Sequence, residues 1–273
     1  MSHIGVNEVL INVEISGSGT PLMLLHGFTG SAKSWAQHIP ALSEQYQVIA
    51  VDLLGHGQSD SPDDPARYSI ECCTRDLVTL FDQLGLERCY LLGYSMGGRV
   101  ALHFALTYPE RMLGLILESA SPGIADPQER QARLASDVEL AERIERDGLD
   151  AFVNYWEHLP LFATQSTLPI DMQEHVRRER LANNPRGLAN SLRGLSTGAQ
   201  PSLWQRLNEL EVPTLPIVGA LDTKFMEIGQ AMTATLPNAQ LEIVYGAGHT
   251  IHLEQPKDFR SIVLRKGLQC KFQ

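Results

Sequence analysis

Cysteine is scarce in this chain: four in 273 residues, too few and too poorly spaced for a disulfide framework. Cys72 and Cys73 are adjacent, which is poor geometry for a mutual bridge, and Cys89 and Cys270 are isolated. Thiols in a reducing compartment, the cytoplasm, are therefore expected. No Cys/His spacing suits zinc, so neither a metal nor an organic cofactor is expected. Positive charge is also short. Twenty-two Lys+Arg against 32 Asp+Glu leave a formal net charge of −10, which argues against a nucleic-acid partner needing a basic face. The same balance would repel anionic membrane surfaces and, for the chain as a whole, acidic substrates. Long apolar runs are missing, so no segment is expected to span a bilayer. The N-terminal MSHIGVNEVLINVEIS lacks the basic stretch and apolar core of a signal peptide. There is no internal repeat and no low-complexity tract.

What the chain has is a rhythm. Short apolar, β-branched runs read as buried strands at Pro21–Leu25, Tyr46–Asp52, Cys89–Gly93, Met112–Glu118, Thr214–Gly219 and Leu241–Val244. Helical periodicity lies between them at Thr74–Leu84 and Gly98–Thr107. Strands separated by helices predict an α/β fold, a mostly parallel sheet with helices on both faces. The rhythm stops at Ser121 and resumes near Pro213. Charged amphipathic stretches, Gln128–Arg146 and Met172–Ala182, fill the gap without a strand signal. The expected organisation is a core of residues 1–120 and 211–273, with a helical cap of residues 121–210 inserted between two strands over the sheet's carboxyl edge. A last amphipathic helix is expected to begin with Phe259, Ile262 and Val263. RKGLQCKFQ then breaks its apolar stripe at Gly267.

Gly93-Tyr94-Ser95-Met96-Gly97 matches G-x-S-x-G and stands directly between the strand CYLL and the helix GRVALHFAL. A serine on such a tight turn projects its hydroxyl from the sheet edge, and the flanking glycines remove Cβ atoms that would clash. The helix N-terminus offers N–H groups to a developing anion. Serine needs a base and the base an orienting carboxylate, in the chain order Ser, Asp or Glu, His. His249, ending the loop Gly246–His249 after the last strand, is the expected base, and Asp222, closing TLPIVG at the same edge, the expected acid. His252 is one helical turn further on and reads as structural. Asp52 precedes the serine and violates the order. The oxyanion donors are expected to be the backbone N–H groups of Met96 and Phe28, with His26 structural in the loop that carries Phe28.

These residues carry a resemblance. LLHGFTGS, VDLLGHGQSD, LLGYSMGGRVAL, VGALD and GAGH are similar to the α/β-hydrolase superfamily over nearly the whole chain. Relatives with aspartate as nucleophile, haloalkane dehalogenases and epoxide hydrolases, are disfavoured by the serine. More narrowly, GYSMGGRVAL, WEHLPLF and RLANNPRGLANSLRGLSTGAQPSLW resemble the 2-succinyl-6-hydroxy-2,4-cyclohexadiene-1-carboxylate synthases of menaquinone biosynthesis. That resemblance implies catalytic Ser95, Asp222 and His249. It also implies substrate contacts from Tyr94, Arg99, Arg133, Trp156, Phe162 and Arg180. Arg130 competes with Arg133 in the looser stretch ERQARLASD. The implied reaction eliminates pyruvate from an enolpyruvyl precursor bearing several carboxylates, without a cofactor.

Arginine suits such a small-molecule partner, since its planar fork pairs two N–H donors with two carboxylate oxygens. Ten arginines and no lysine lie between Ser121 and Leu210. Arg99, four residues after Ser95, falls one helical turn beyond the nucleophile. The overall −10 thus speaks to the surface, while the expected pocket is locally basic. The same triad equally supports a serine hydrolase of esters, thioesters or C–C bonds. A non-catalytic small-molecule receptor would be expected to have lost a triad member.

Overall fold

The chain starts with a hairpin that the alternation of its residues announces only weakly. In the computed structural model, which describes residues 2–265, β1 (Ser2–Val6) and β2 (Val9–Ser16) pair antiparallel through Asn7-Glu8. Both turn residues have positive φ, 44° and 71°. Two-residue hairpin turns demand that conformation and commonly use Asn-Gly for it; glutamate at the second position hides the signal.

Six further strands complete the sheet: β3 (Thr20–Leu25), β4 (Tyr46–Val51), β5 (Cys89–Tyr94), β6 (Met112–Glu118), β7 (Thr214–Gly219) and β8 (Glu242–Val244). Their order is β1-β2-β4-β3-β5-β6-β7-β8, with every pair from β4 to β8 parallel. Side chains alternate across the sheet. In β3, Met23 and Leu25 join one core cluster, while Leu22 and Leu24 join the cluster on the other face. A strand buried on both sides needs a continuous apolar run, and TPLMLL is one.

Between strands run α1 (Ile39–Leu42), α2 (Ile70–Gln83) and α3 (Met96–Thr107). Ser69 caps α2, its hydroxyl accepting from Cys72 N, so that helix starts four residues before the periodic stretch Thr74–Leu84. After β6 come α4 (Pro127–Asp147), α5 (Leu149–Trp156), α6 (Ile170–Leu181) and α7 (Pro185–Leu195). Asp126 starts α4, its Oδ1 accepting from Gln128 N and Glu129 N at 2.8 Å each, with Pro127 at the first helical position. These helices bury a small core of their own, Ala141, Ile144, Phe152, Val153, Leu188, Ala189 and Leu192. Phe28, from the loop after β3, packs on it. Leu203, Leu207 and Leu210, ahead of β7, pack with the sheet's core. The chain continues through α8 (Thr223–Thr235), α9 (Ile251–Glu254) and α10 (Pro256–Arg265). Phe259 and Val263 of α10 are fully buried. The expected break at Gly267 lies outside the described residues.

Candidate active site

The carboxyl ends of β3, β5, β7 and β8 converge on one place. β5 turns sharply into α3 at Ser95, whose φ of 49° and ψ of −105° are rare for a side-chain-bearing residue. Two contacts hold it there: Ser95 N donates to Glu118 O at 2.8 Å, and Arg99 N donates to Ser95 O at 3.0 Å. The glycines of the motif are steric requirements. A Cβ on Gly97 would lie 2.3 Å from Leu25 O, and one on Gly93 would lie 2.4 Å from Gly97 O.

His249 arrives from the loop after β8. Its Nδ1 lies 2.7 Å from Asp222 Oδ2 and its Nε2 lies 3.1 Å from Ser95 Oγ. An ionised carboxylate only accepts, so Nδ1 carries the proton and Nε2 is left to accept from the serine hydroxyl. Asp222 is fixed in turn as the cap of α8, where Oδ1 accepts from Phe225 N at 3.2 Å. The imidazole is buried and walled by Phe225, 4.5 Å away between ring centres. Met96 is the first residue of α3, so its N–H has no acceptor within the helix. It and Phe28 face a cavity of about 770 Å³ that also contains Ser95 and His249.

The rejected alternatives have other employment. Asp52 accepts from Ala32 N, Asn12 Nδ2 and Gln58 N, tying together the loops behind β3 and β4. His26 Nε2 accepts from Leu53 N at 3.0 Å, and burial holds its pKa below the ordinary value. His252 Nδ1 sits 2.9 Å from Glu118 Oε1, and both side chains are buried.

The expected substrate contacts also meet at the cavity. Tyr94, Arg99, Arg133, Trp156, Phe162 and Arg180 all line it, whereas Arg130 does not and donates to Ile124 O instead. Asp222 stands behind His249 and does not line it. Phe28, Trp156 and Phe162 form an aromatic wall, with Trp156 5.3 Å from Phe28 and 5.6 Å from Phe162. The Trp156 indole N–H is buried with no acceptor among the described residues. Tyr94 is buried, its hydroxyl 3.1 Å from Thr250 Oγ1, and burial pushes its pKa up.

The three arginines differ in how they are held. Arg133 Nε donates to both oxygens of buried Asp137 at 2.8 Å, and its half-exposed side chain lines the cavity. Arg99 Nη1 donates to Leu195 O and to Gln200 Oε1, at 2.9 and 2.6 Å. Burial, and then the neighbouring Arg133, pushes its pKa down to about 10. Arg180 is 6% exposed and lies 5.2 Å over the Phe162 ring. Its Nη2 donates to Gln165 Oε1 at 3.0 Å, and burial lowers its pKa too. Gln165, Gln200 and Asp137 were not singled out by the sequence. Nothing local marks them, because each acts through a partner placed by tertiary structure or by one turn of a helix.

A strained serine, a buried histidine and a capped carboxylate at the mouths of parallel strands define an enzyme-type nucleophile site. The chain belongs to the α/β-hydrolase fold family, which matches residues 20–256. Within it, several of the relatives share one name. A Bacillus subtilis protein named provisionally as a 2-succinyl-6-hydroxy-2,4-cyclohexadiene-1-carboxylate synthase is 49% identical over 242 residues, 89% of this chain and 88% of its own. The synthase of that name from Serratia proteamaculans is 34% identical, over 87% of this chain and 89% of its own. The solved structure of MenH from S. aureus superposes with a TM-score of 0.89 at 36% identity, covering 97% of both chains.

Proposed function

We propose that this chain is a carbon–oxygen lyase of menaquinone biosynthesis. It converts 2-succinyl-5-enolpyruvyl-6-hydroxy-3-cyclohexene-1-carboxylate to 2-succinyl-6-hydroxy-2,4-cyclohexadiene-1-carboxylate and pyruvate. The observation that carries the reading is the pairing of a nucleophile-type triad with three pocket arginines. A simple esterase needs the first and has no use for the second.

In this mechanism His249, oriented by Asp222, withdraws the Ser95 hydroxyl proton. Ser95 Oγ then removes the ring proton next to the succinyl carbonyl. The C–H electron pair forms the new ring double bond by way of the dienolate. The C–O bond to the enolpyruvyl group breaks, and its electron pair leaves on the enolpyruvate oxygen. The enolpyruvate takes up a proton and becomes pyruvate. The N–H groups of Phe28 and Met96 hold the negative charge that builds on the succinyl carbonyl oxygen. Tyr94, Trp156 and Phe162 shape the wall around the ring, and Arg99, Arg133 and Arg180 hold the carboxylates. Residues 121–210 act as the cap that keeps water from the dienolate. The reading includes a cytoplasmic setting, supported by the unpaired thiols Cys72, Cys73 and Cys89.

The test couples pyruvate release to lactate dehydrogenase, with the enolpyruvyl precursor as substrate. Wild-type protein is expected to release one pyruvate per precursor. No pyruvate, alongside fast turnover of simple esters and a serine-bound acyl group trapped on quenching, would replace the lyase with a hydrolase.

A further inference from the structure

The carboxylates nearest the pocket arginines are all committed elsewhere. Glu157 and Glu179 both act on Arg180 electrostatically, yet Glu157 pairs with Arg177 at 2.6 Å. Glu179 accepts instead from the hydroxyls of Ser31 and Ser34, at 2.7 and 2.6 Å. Asp137 acts on Arg99, but both its oxygens are taken by Arg133 Nε. Among the described residues, neither Arg99 nor Arg180 forms an ion pair. The side chain that accepts from each is an amide: Gln200 Oε1 from Arg99, beside the carbonyl of Leu195, and Gln165 Oε1 from Arg180.

A neutral amide oxygen orients a guanidinium as a carboxylate would, without cancelling its charge. Burial of a cation without a counter-ion costs stability, so the arrangement has to be held in place by its neighbours. Gln165 is held in this way. Its Nε2 donates to Thr250 Oγ1 at 2.8 Å, and Thr250 follows the histidine of the triad and meets the Tyr94 hydroxyl.

We infer that Gln165 and Gln200 are specificity-determining residues, neutral clamps that fix Arg180 and Arg99 while reserving their charges for two ligand carboxylates. The inference rests on the anionic-substrate part of the proposed function and deepens it. Each clamped arginine sets the pocket for one more carboxylate, and a carboxylate at either glutamine would occupy the arginine from within.

Gln165 offers the cleaner test because it is half-buried and its network tolerates the change. In Gln165→Glu one oxygen keeps the contact to Arg180 and the other faces Thr250, whose hydroxyl can rotate to donate. Gln165→Met keeps size and removes the clamp without adding charge. KM for the enolpyruvyl precursor is expected to rise at least about tenfold in Gln165→Glu, with kcat within about threefold of wild type. In Gln165→Met, which frees Arg180 without neutralising it, KM is expected to rise by clearly less than in Gln165→Glu, with kcat again within about threefold. Calorimetric titration with succinate provides a readout that needs no turnover, and Gln165→Glu is expected to bind it at least about tenfold more weakly than wild type. Gln200→Glu should follow the same pattern through Arg99. Equal effects of Glu and Met on KM and on succinate binding would reduce Gln165 to a packing residue and overturn the inference. So would unaltered succinate binding in Gln165→Glu, or no succinate binding by wild-type protein. If the wild type binds succinate but releases no pyruvate, the lyase assignment fails, and the clamp is still judged by the succinate arm.

Discussion

Replacing Arg180 by methionine should move stability and substrate capture in opposite directions. Arg180 is 6% exposed and has no ion-pair partner among the described residues. An uncompensated buried cation costs several kcal/mol relative to an apolar residue of similar length. Against this stand one hydrogen bond to Gln165, worth about 1 kcal/mol, and the contact with the Phe162 ring, worth about 1–2 kcal/mol. Methionine recovers part of the second through its sulfur. Gln165, half-buried, can turn its freed oxygen to water. The balance favours the variant by about 1–3 kcal/mol, which for a domain of this size raises Tm by about 2–5 °C. Catalysis should suffer. A charge-assisted contact to a carboxylate contributes about 1.5–3 kcal/mol, so KM for the precursor should rise about 10- to 150-fold. Because the contact is made in ground and transition state alike, kcat should change little. Scanning calorimetry and the coupled pyruvate assay read the two halves separately. A lower Tm together with an unchanged KM would show that Arg180 is a structural residue, and the reasoning about reserved charge would fail with it.

Two further predictions concern the scaffold. Gly97→Ala places a methyl 2.3 Å from Leu25 O and 2.5 Å from His26 O, backbone atoms that cannot step aside, and should cost about 3 kcal/mol or more by urea denaturation. Gly85→Ala, with nothing within 4 Å but a φ of +68°, should cost only about 1–2 kcal/mol; equal midpoints for the two would contradict the steric account of the elbow. Stability should also fall in mild acid. Burial holds His38 and His56 at about 3 and His103 at about 4, below their ordinary 6.5. Groups with lowered folded pKa contribute stability that is complete above about pH 6.5 and is lost as pH falls toward about 4 for His103 and about 3 for His38 and His56. Each contributes at most about 1.4 kcal/mol per pH unit in that window. Tm should therefore drop steeply between pH 6.5 and 5, and a flat profile there would show that these imidazoles titrate normally.

The meeting of Ser95, Asp222 and His249 was legible because each sits at a strand end with its own local signal: a glycine-flanked serine, an aspartate closing TLPIVG, a histidine closing a glycine loop. Chain order then removed Asp52, and the structure gives that carboxylate three donors of its own. The β1–β2 hairpin was not legible, since its turn uses Asn7-Glu8 where a glycine would have marked it. α7 escaped for a different reason. Leu188, Leu192 and Leu195 do recur at helical spacing opposite Arg186 and Arg193, but Pro185, Gly187 and Gly194 give PRGLANSLRGL a poor helix propensity. The arginine clamps could not be read at all. Gln165 meets Arg180 across 15 residues and Thr250 across 85, and only the packed fold brings them together.

In the proposed mechanism Ser95, driven by His249 and Asp222, removes the proton whose loss expels pyruvate. This step is tested most directly by following pyruvate and the cyclohexadiene product together, from one precursor, in wild-type protein and in Ser95→Ala. Wild-type protein is expected to give equal molar amounts of the two products. In the variant kcat is expected to fall at least about 10³-fold, with folding and precursor binding intact. Pyruvate release by Ser95→Ala at a rate near that of the wild type would contradict the mechanism.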